Sequence, residues 1–301
     1  MPAPKRRPRR VLVIANPNAG LLRGGKAAGE RAAAAAARAG VAVDLHLTRG
    51  PGDARTRAAA AAEEGYDLVL AAGGDGTAHE AAGGLAGSNT ALGVAPAGTM
   101  NLLARVLGTP LHPAEAAGAL AAGFHPWTVH PGDADGRIFV LMAGAGFDAW
   151  VLRELLRTVR GKIGFADYAR GALAGLRTFP FPELRVAWES RERKAHSVIV
   201  GRSPLYGGFL RPTPGARLDE PVLEVCALDG GPARLMAILS RMWSGAHAGA
   251  PGALVARTRE VRVVSPVDDV PYHLDGELAG VLPVTLRISD RPLVLARTRP
   301  V

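Results

Sequence analysis

For its first 125 or so residues the chain alternates short β-branched runs with alanine-rich stretches, and this restricts the fold more than any other feature. Strands are predicted over residues 11–15, 41–47, 68–72 and 91–95, and helices over 26–39, 53–64, 77–85 and 100–107. Strands that alternate with helices imply a parallel sheet covered by helices, because parallel neighbours need a long crossover between them. Ligands of such sheets sit beyond the carboxyl ends of the strands. Loops 16–20, 48–52, 73–77 and 96–101, rich in Gly, Pro, Asn and Thr, therefore fall along one edge. The alanine run 32–37 reflects helix propensity and is assigned no function.

After about residue 126 the pattern changes. Strands are predicted over 138–143, 184–188, 196–200, 222–228, 259–264, 272–274 and 284–289, with helices over 149–159, 165–179 and 232–246. The fold class is thus an α/β domain with a parallel sheet plus a mainly antiparallel second domain.

Composition limits the partners. The 301 residues carry a formal net charge of +9, and Lys5, Arg6, Arg7, Arg9 and Arg10 cluster at the start, which fits transient contact with an anionic membrane surface. Aromatic residues make up only 5% of the chain, too few for base-stacking platforms, so no nucleic-acid partner is expected. Cys226 is the only cysteine and lies in an apolar run; it reads as a core residue of a protein in a reducing cytosol. The apolar run 11–15 is broken by Asn16-Pro17-Asn18 too early for a signal peptide, and no run reaches the length of a membrane span.

Gly73-Gly74-Asp75-Gly76-Thr77 follows a buried strand and opens a helix. Glycines let backbone N–H groups approach an anion, Thr77 is placed to cap the helix, and the helix N-terminus attracts phosphate. A carboxylate in such a loop repels phosphate unless a divalent cation bridges the two, so Asp75 points to a metal–nucleotide complex. A plain strand-to-helix turn is the alternative reading. Residues 20–27 approach the P-loop pattern, but Ala27 lacks the hydroxyl that pattern needs; Asn16, Asn18 and Gly20, followed by Arg23 and Lys26, remain as phosphate contacts. Residues 144–149 fit a dinucleotide fingerprint without the acidic residue expected after the next strand, and read as a close-packed turn. His79 is either structural or a nucleotide contact. No zinc cluster and no Gly-x-Ser-x-Gly elbow is present. Residues 272–277 read as a hairpin around Asp275-Gly276, and a carboxylate at its tip suits transfer of phosphate to an alcohol.

Taken together, residues 16–20, Thr48, 73–80, 96–105, 146–149 and 275–277 resemble the diacylglycerol kinase catalytic family, which also covers bacterial lipid kinases and the sphingosine and ceramide kinases. The Gly-Gly-Asp-Gly-Thr motif alone is shared with NAD kinases; the Gly98-Thr99-x-Asn101-x-x-Ala104-Arg105 stretch and the late Asp-Gly-Glu are more specific. The resemblance implies a nucleotide domain like that of NAD kinases and phosphofructokinases over 1–126, with 290–301 returning to it, and a β-sandwich over 127–289. It implies ATP and Mg²⁺ as cofactors. The expected nucleotide contacts are Asn16, Asn18, Ala19, Gly20, Thr48, Gly73, Gly74, Asp75, Gly76, Thr77, Ala78, His79, Glu80, Gly98, Thr99 and Asn101. Glu277 would accept the proton of a lipid alcohol, with Asp275 beside it in the catalytic turn, and Asp75 would hold Mg²⁺ through water. The sequence departs from the family pattern at His79, usually Asn, and at Leu102, often Asp. A second, structural Mg²⁺ site implied near 217–222 has Glu220 as its side-chain ligand, in place of the usual Asp, and Pro221 in place of glycine. The implied activity is an ATP-dependent lipid kinase at the inner face of the membrane, acting on a diacylglycerol-like lipid. NAD kinase-like phosphorylation of a soluble dinucleotide and a non-catalytic nucleotide or lipid sensor are the alternatives.

Overall fold

A computed structural model describes residues 4–19, 24–159, 165–208 and 210–300. The chain forms two compact units, residues 1–130 with 290–301, and residues 131–289.

The first unit runs β1 (Arg10–Ala15), α1 (Gly25–Ala37), β2 (Ala42–Leu47), α2 (Asp53–Glu63), β3 (Leu68–Gly73), α3 (Asp75–Leu85), β4 (Ala91–Pro96), α4 (Leu102–Leu107), α5 (Pro113–Ala122) and β5 (His125–Val129). The last strand of the chain, β18 (Leu293–Arg297), inserts between β4 and β5, giving the order β2-β1-β3-β4-β18-β5. Strands β1 to β4 and β18 are parallel and β5 is antiparallel. Val11, Val13, Leu68 and Leu70 pack on one face against Ala32 and Ala36 of α1 and Leu120 of α5. The alternate residues Leu12, Ile14 and Val69 are equally buried on the other face, where α2 and α3 lie against β1 and β3. Continuous apolar runs are what a strand covered on both faces requires. In the exposed edge strand β2, by contrast, burial is only partial.

The second unit carries two six-stranded antiparallel sheets. Its elements are β6 (Gly132–Ala134), β7 (Arg137–Phe139), β8 (Met142–Gly146), α6 (Phe147–Thr158), α7 (Phe165–Thr178), β9 (Leu184–Trp188), β10 (Arg191–Ala195), β11 (Ser197–Gly201), β12 (Leu223–Leu228), α8 (Pro232–Met242), β13 (Ala253–Thr258), β14 (Glu260–Val264), β15 (Pro271–Leu274), β16 (Glu277–Val281) and β17 (Val284–Ile288). The sheets are ordered β10-β9-β14-β17-β6-β7 and β13-β12-β11-β8-β15-β16. Val186, Val261 and Leu286 from one meet Val200, Val225 and Leu274 from the other in a shared core, as in a sandwich. Strand β12 shows the two-residue period: Leu223, Val225 and Ala227 point into the sandwich, while Cys226 and Leu228 point to the outer face, under α6 and α8.

The fold corrects several sequence expectations. Helix α3 begins at Asp75 rather than residue 77, so Thr77 lies inside the helix and does not cap it; Gly74 is the cap residue. The run expected as one strand over 138–143 is two, β7 and β8, separated at Val140 and Leu141. Helix α5 and strands β5, β6, β10, β13 and β16 have no counterpart among the expected elements.

Candidate active site

The parallel register sets the level of the first unit's loops. Ala15 pairs with Leu47 and Ala72, and Gly73 with Pro96, so the segments after β1, β2, β3 and β4 leave the sheet at one edge. That edge brings together Asn16, Asn18, Ala19, Thr48, Gly73 to Glu80 and Gly98 to Asn101. Gly20 lies outside the described residues, as does Arg23.

These residues divide into those that shape the edge and those that face outward from it. Asn16 accepts the Asn18 N–H on its side-chain oxygen at 2.9 Å, which folds the β1 loop back on itself. Glu80 accepts the N–H groups of Gly52 (2.8 Å) and Ala54 (3.2 Å), so its carboxylate caps α2 and anchors the loop that carries Thr48. Asn101, at φ 50°, exchanges two side-chain bonds with Gly98, each 2.9 Å, and closes the loop after β4. A Cβ at Gly98 would lie 2.5 Å from the Gly74 Cα, so the β3 and β4 loops touch backbone to backbone only because glycine is there. Glu80 and Asn101 thus position the loops. Thr77, Ala78 and His79 are buried along the inner face of α3, Leu102 is buried at the start of α4, and Asn18 and Thr99 are exposed.

Asp75 sits in the first turn of α3, where the N–H groups have no intrahelical acceptor and the cap residue, Gly74, offers no side chain. Its Oδ1 accepts the Leu103 N–H at 3.3 Å, tying the turn to α4. One carboxylate at a helix N-terminus fits a Mg²⁺–triphosphate, since helix N-termini attract phosphate and Mg²⁺ is commonly held by one or two carboxylates plus substrate phosphates.

In the second unit, Leu274 pairs with Glu277 across a two-residue turn in which Asp275 (φ 49°) and Gly276 (φ 86°) both have positive φ, as a tight hairpin requires. The Asp275 carboxylate accepts three backbone N–H groups, from Val140 (2.6 Å), Leu141 (2.8 Å) and Met142 (2.9 Å), and the Asp275 N–H donates to Met142 O. These bonds interrupt the strand at 140–141 and fasten the hairpin to β8. Asp275 therefore acts as a brace, and Glu277 follows it half-buried at the start of β16.

A second group of side chains lies beneath that turn and has no counterpart among the expected site residues. Buried His273 accepts the Gly276 N–H on Nδ1 at 3.3 Å and meets Asp148 Oδ2 through Nε2 at 2.7 Å. Tyr206 bonds the other Asp148 oxygen, and burial, reinforced by that carboxylate, pushes its phenol well above the ordinary range. The one hint in the sequence was the Gly144–Ala149 stretch. A Cβ on Gly144 would fall 2.0 Å from Asp148 Oδ2, so the glycine makes room for the pair.

The segment expected to hold a second Mg²⁺ is neutralised from within the chain. Asp219 is forked by Arg217 (3.0 and 2.6 Å), and Glu220 is engaged by Arg257 and, at 3.4 Å, by Arg217. Among the described residues no group of three or more His, Cys, Asp or Glu side chains is arranged to hold a metal ion.

A parallel α/β unit with a glycine-turn helix at its carboxyl edge, followed by an antiparallel sandwich, defines the class. Residues 10–127 match the diacylglycerol kinase catalytic domain, and residues 142–297 match the YegS C-terminal NAD kinase beta sandwich-like domain. The chain belongs to this diacylglycerol kinase family. Its relatives include the diacylglycerol kinase of Staphylococcus saprophyticus, 29% identical over 252 residues that cover 82% of each chain. That of Staphylococcus aureus is 28% identical over 260 residues, 84% of this chain and 82% of the relative. The fold is shared with a crystal structure of a candidate diacylglycerol kinase from Bacillus anthracis, at TM-score 0.78 and 22% identity over 98% of this chain and 97% of the other.

Proposed function

We propose that the protein is an ATP-dependent lipid kinase that transfers the γ-phosphate to the hydroxyl of a diacylglycerol-like lipid. The observation that carries this reading is the glycine-capped first turn of α3 with Asp75 in it, at the edge where four loops of the first unit end. Backbone N–H groups there bind the phosphates, with Asn18, Thr48 and Thr99 around them. A divalent cation held with the nucleotide through Asp75 supplies neutralisation of phosphate charge. Glu277 accepts the proton of the attacking alcohol, and Asp275 fixes the turn that presents it. Such a reaction depends mostly on positioning and charge, which rigid loops and a braced hairpin provide. Family membership and relatives named diacylglycerol kinase support the choice of a lipid acceptor over a soluble one. Contact with an anionic membrane surface through the basic start of the chain belongs to the same reading, as does a place at the inner face of the membrane. Among the described residues no helix is long and apolar enough to cross a membrane.

Incubation with γ-labelled ATP, Mg²⁺ and diacylglycerol in mixed micelles, followed by thin-layer separation, tests it. One labelled lipid is expected, falling about 10²–10⁴-fold in rate with Glu277→Gln, the usual worth of a general base. Label in a dinucleotide product when NAD is supplied, with none in lipid, would overturn the assignment.

A further inference from the structure

Arg202 follows β11 and is the largest fully buried side chain among the described residues, yet none of the chemistry above uses it. Its guanidinium donates to three main-chain carbonyls of one loop: Nη1 to Arg217 O (3.0 Å) and Val222 O (2.5 Å), and Nη2 to Leu218 O (2.8 Å). Burial lowers its pKa to about 10, with nearby Asp219 opposing the shift, so the group stays charged at neutral pH. A charge taken out of water is tolerated only when paired or fully hydrogen-bonded. Here the bonds come from a convergent set of carbonyl oxygens, the ligand type a hard metal ion would select. The acidic side chains of the same loop are engaged elsewhere: Asp219 by Arg217, Glu220 by Arg257 and Arg217.

We infer that the Arg202 guanidinium is the resident cation of the Arg217–Val222 loop, doing there what a structural divalent metal would do and leaving the loop independent of one. The residues present do not fit the second Mg²⁺ that the resemblance implied. The carbonyls already converge on a covalently attached cation, and a metal at Glu220 would have to displace two guanidinium groups. Arginine suits the task better than lysine, because its planar fork serves several acceptors at once and keeps its proton when buried.

The test uses the nucleotide-free full chain, as wild type and as Asp75→Asn, so that any Mg²⁺ effect at the α3 turn is separated from one at this loop. Thermal melting and hydrogen exchange of peptide 217–223 are compared in EDTA and in excess MgCl₂. The expected result is the same Tm and the same protection of 217–223 in both solutions. Arg202→Met is expected to lower Tm by about 5 °C or more and to expose 217–223 to exchange, with 68–82 unaffected. Arg202→Lys is expected to fall between the two. Protection of 217–223 that depends on Mg²⁺ in Asp75→Asn, or unchanged protection in Arg202→Met, would overturn the inference. Should Arg202→Met fail to fold, the comparison of EDTA with Mg²⁺ in Asp75→Asn decides the matter alone. All these readouts are independent of whether the protein phosphorylates a lipid.

Discussion

His273 Nε2 stands 2.7 Å from Asp148 Oδ2, and the opposite ring nitrogen accepts the Gly276 N–H, so one buried imidazole joins the start of α6 to the tip of the Glu277 hairpin. The acceptor role of Nδ1 places the proton on Nε2, where it is donated to the carboxylate. His273→Asn keeps an acceptor near Nδ1 and loses the donor to Asp148; His273→Gln does the reverse. If the hairpin tip is what matters for turnover, Gln lowers kcat more than Asn, by up to about 10²-fold, with the KM for ATP unchanged. Equal losses in the two variants would reduce the imidazole to a space-filler.

Asp275 offers a separate prediction on stability. Removing its carboxylate leaves three backbone N–H groups at 140–142 without their acceptor. Bonds to a charged group are worth more than neutral ones, so Asp275→Ala is expected to cost about 3 kcal/mol, read as a lower denaturation midpoint with unchanged m-value. Asp275→Asn retains one acceptor oxygen and should lose less. A midpoint within error of wild type for Asp275→Ala would show that the turn is held by its positive-φ backbone alone.

How much of this was legible in the sequence depended on range. Strands β1, β3 and β4 are continuous apolar runs, which only a doubly covered sheet explains, and the Gly, Pro and Asn residues that follow them mark where each strand ends at the carboxyl edge. The Asp275-Gly276 hairpin was equally local, being set by two residues. Strand β10, Arg-Glu-Arg-Lys-Ala, was not legible, because an exposed edge strand held by its hairpin partner β9 needs no apolar face. Helix α5 has no counterpart among the expected elements, although Pro113 stands in its first turn, where proline suits a helix start. The break at Val140 and Leu141 is imposed by a carboxylate more than 130 residues away. The Asp148–His273 contact spans 125 positions, with only the glycine at 144 to hint at it, and Arg202 finds its carbonyls 15 to 20 residues on with no local pattern to announce them.

Acid should weaken the first unit partly through Asp53. Its carboxylate accepts the Arg49 N–H at 2.8 Å and meets His46 at 3.0 Å, and these contacts, the backbone bond foremost, hold its pKa below the ordinary 3.8. A carboxyl whose folded pKa is depressed contributes stability above its unfolded value and loses it as pH falls through the folded one. Asp53→Asn is therefore expected to melt earlier than wild type at pH 7, with the gap narrowing as the pH drops below 3.8. A gap that stays constant across that range would assign the effect to lost packing.

Cys226 should be inert in the folded state. The side chain is fully buried on the outer face of β12, near Leu228, Ile238 and Met242, and burial, with a further push from Glu224, raises its thiol from 9.0 to about 12. Only the thiolate is nucleophilic, and at pH 8 a thiol of that acidity is ionised to about 1 part in 10⁴. An aromatic disulfide reagent is therefore expected to titrate no thiol in the native protein and one per chain in guanidinium chloride. Its rate in water should track global unfolding, because α6 and α8 must leave the sheet before the sulfur is reached. Rapid labelling without loss of structure would mean that this helical layer opens on its own.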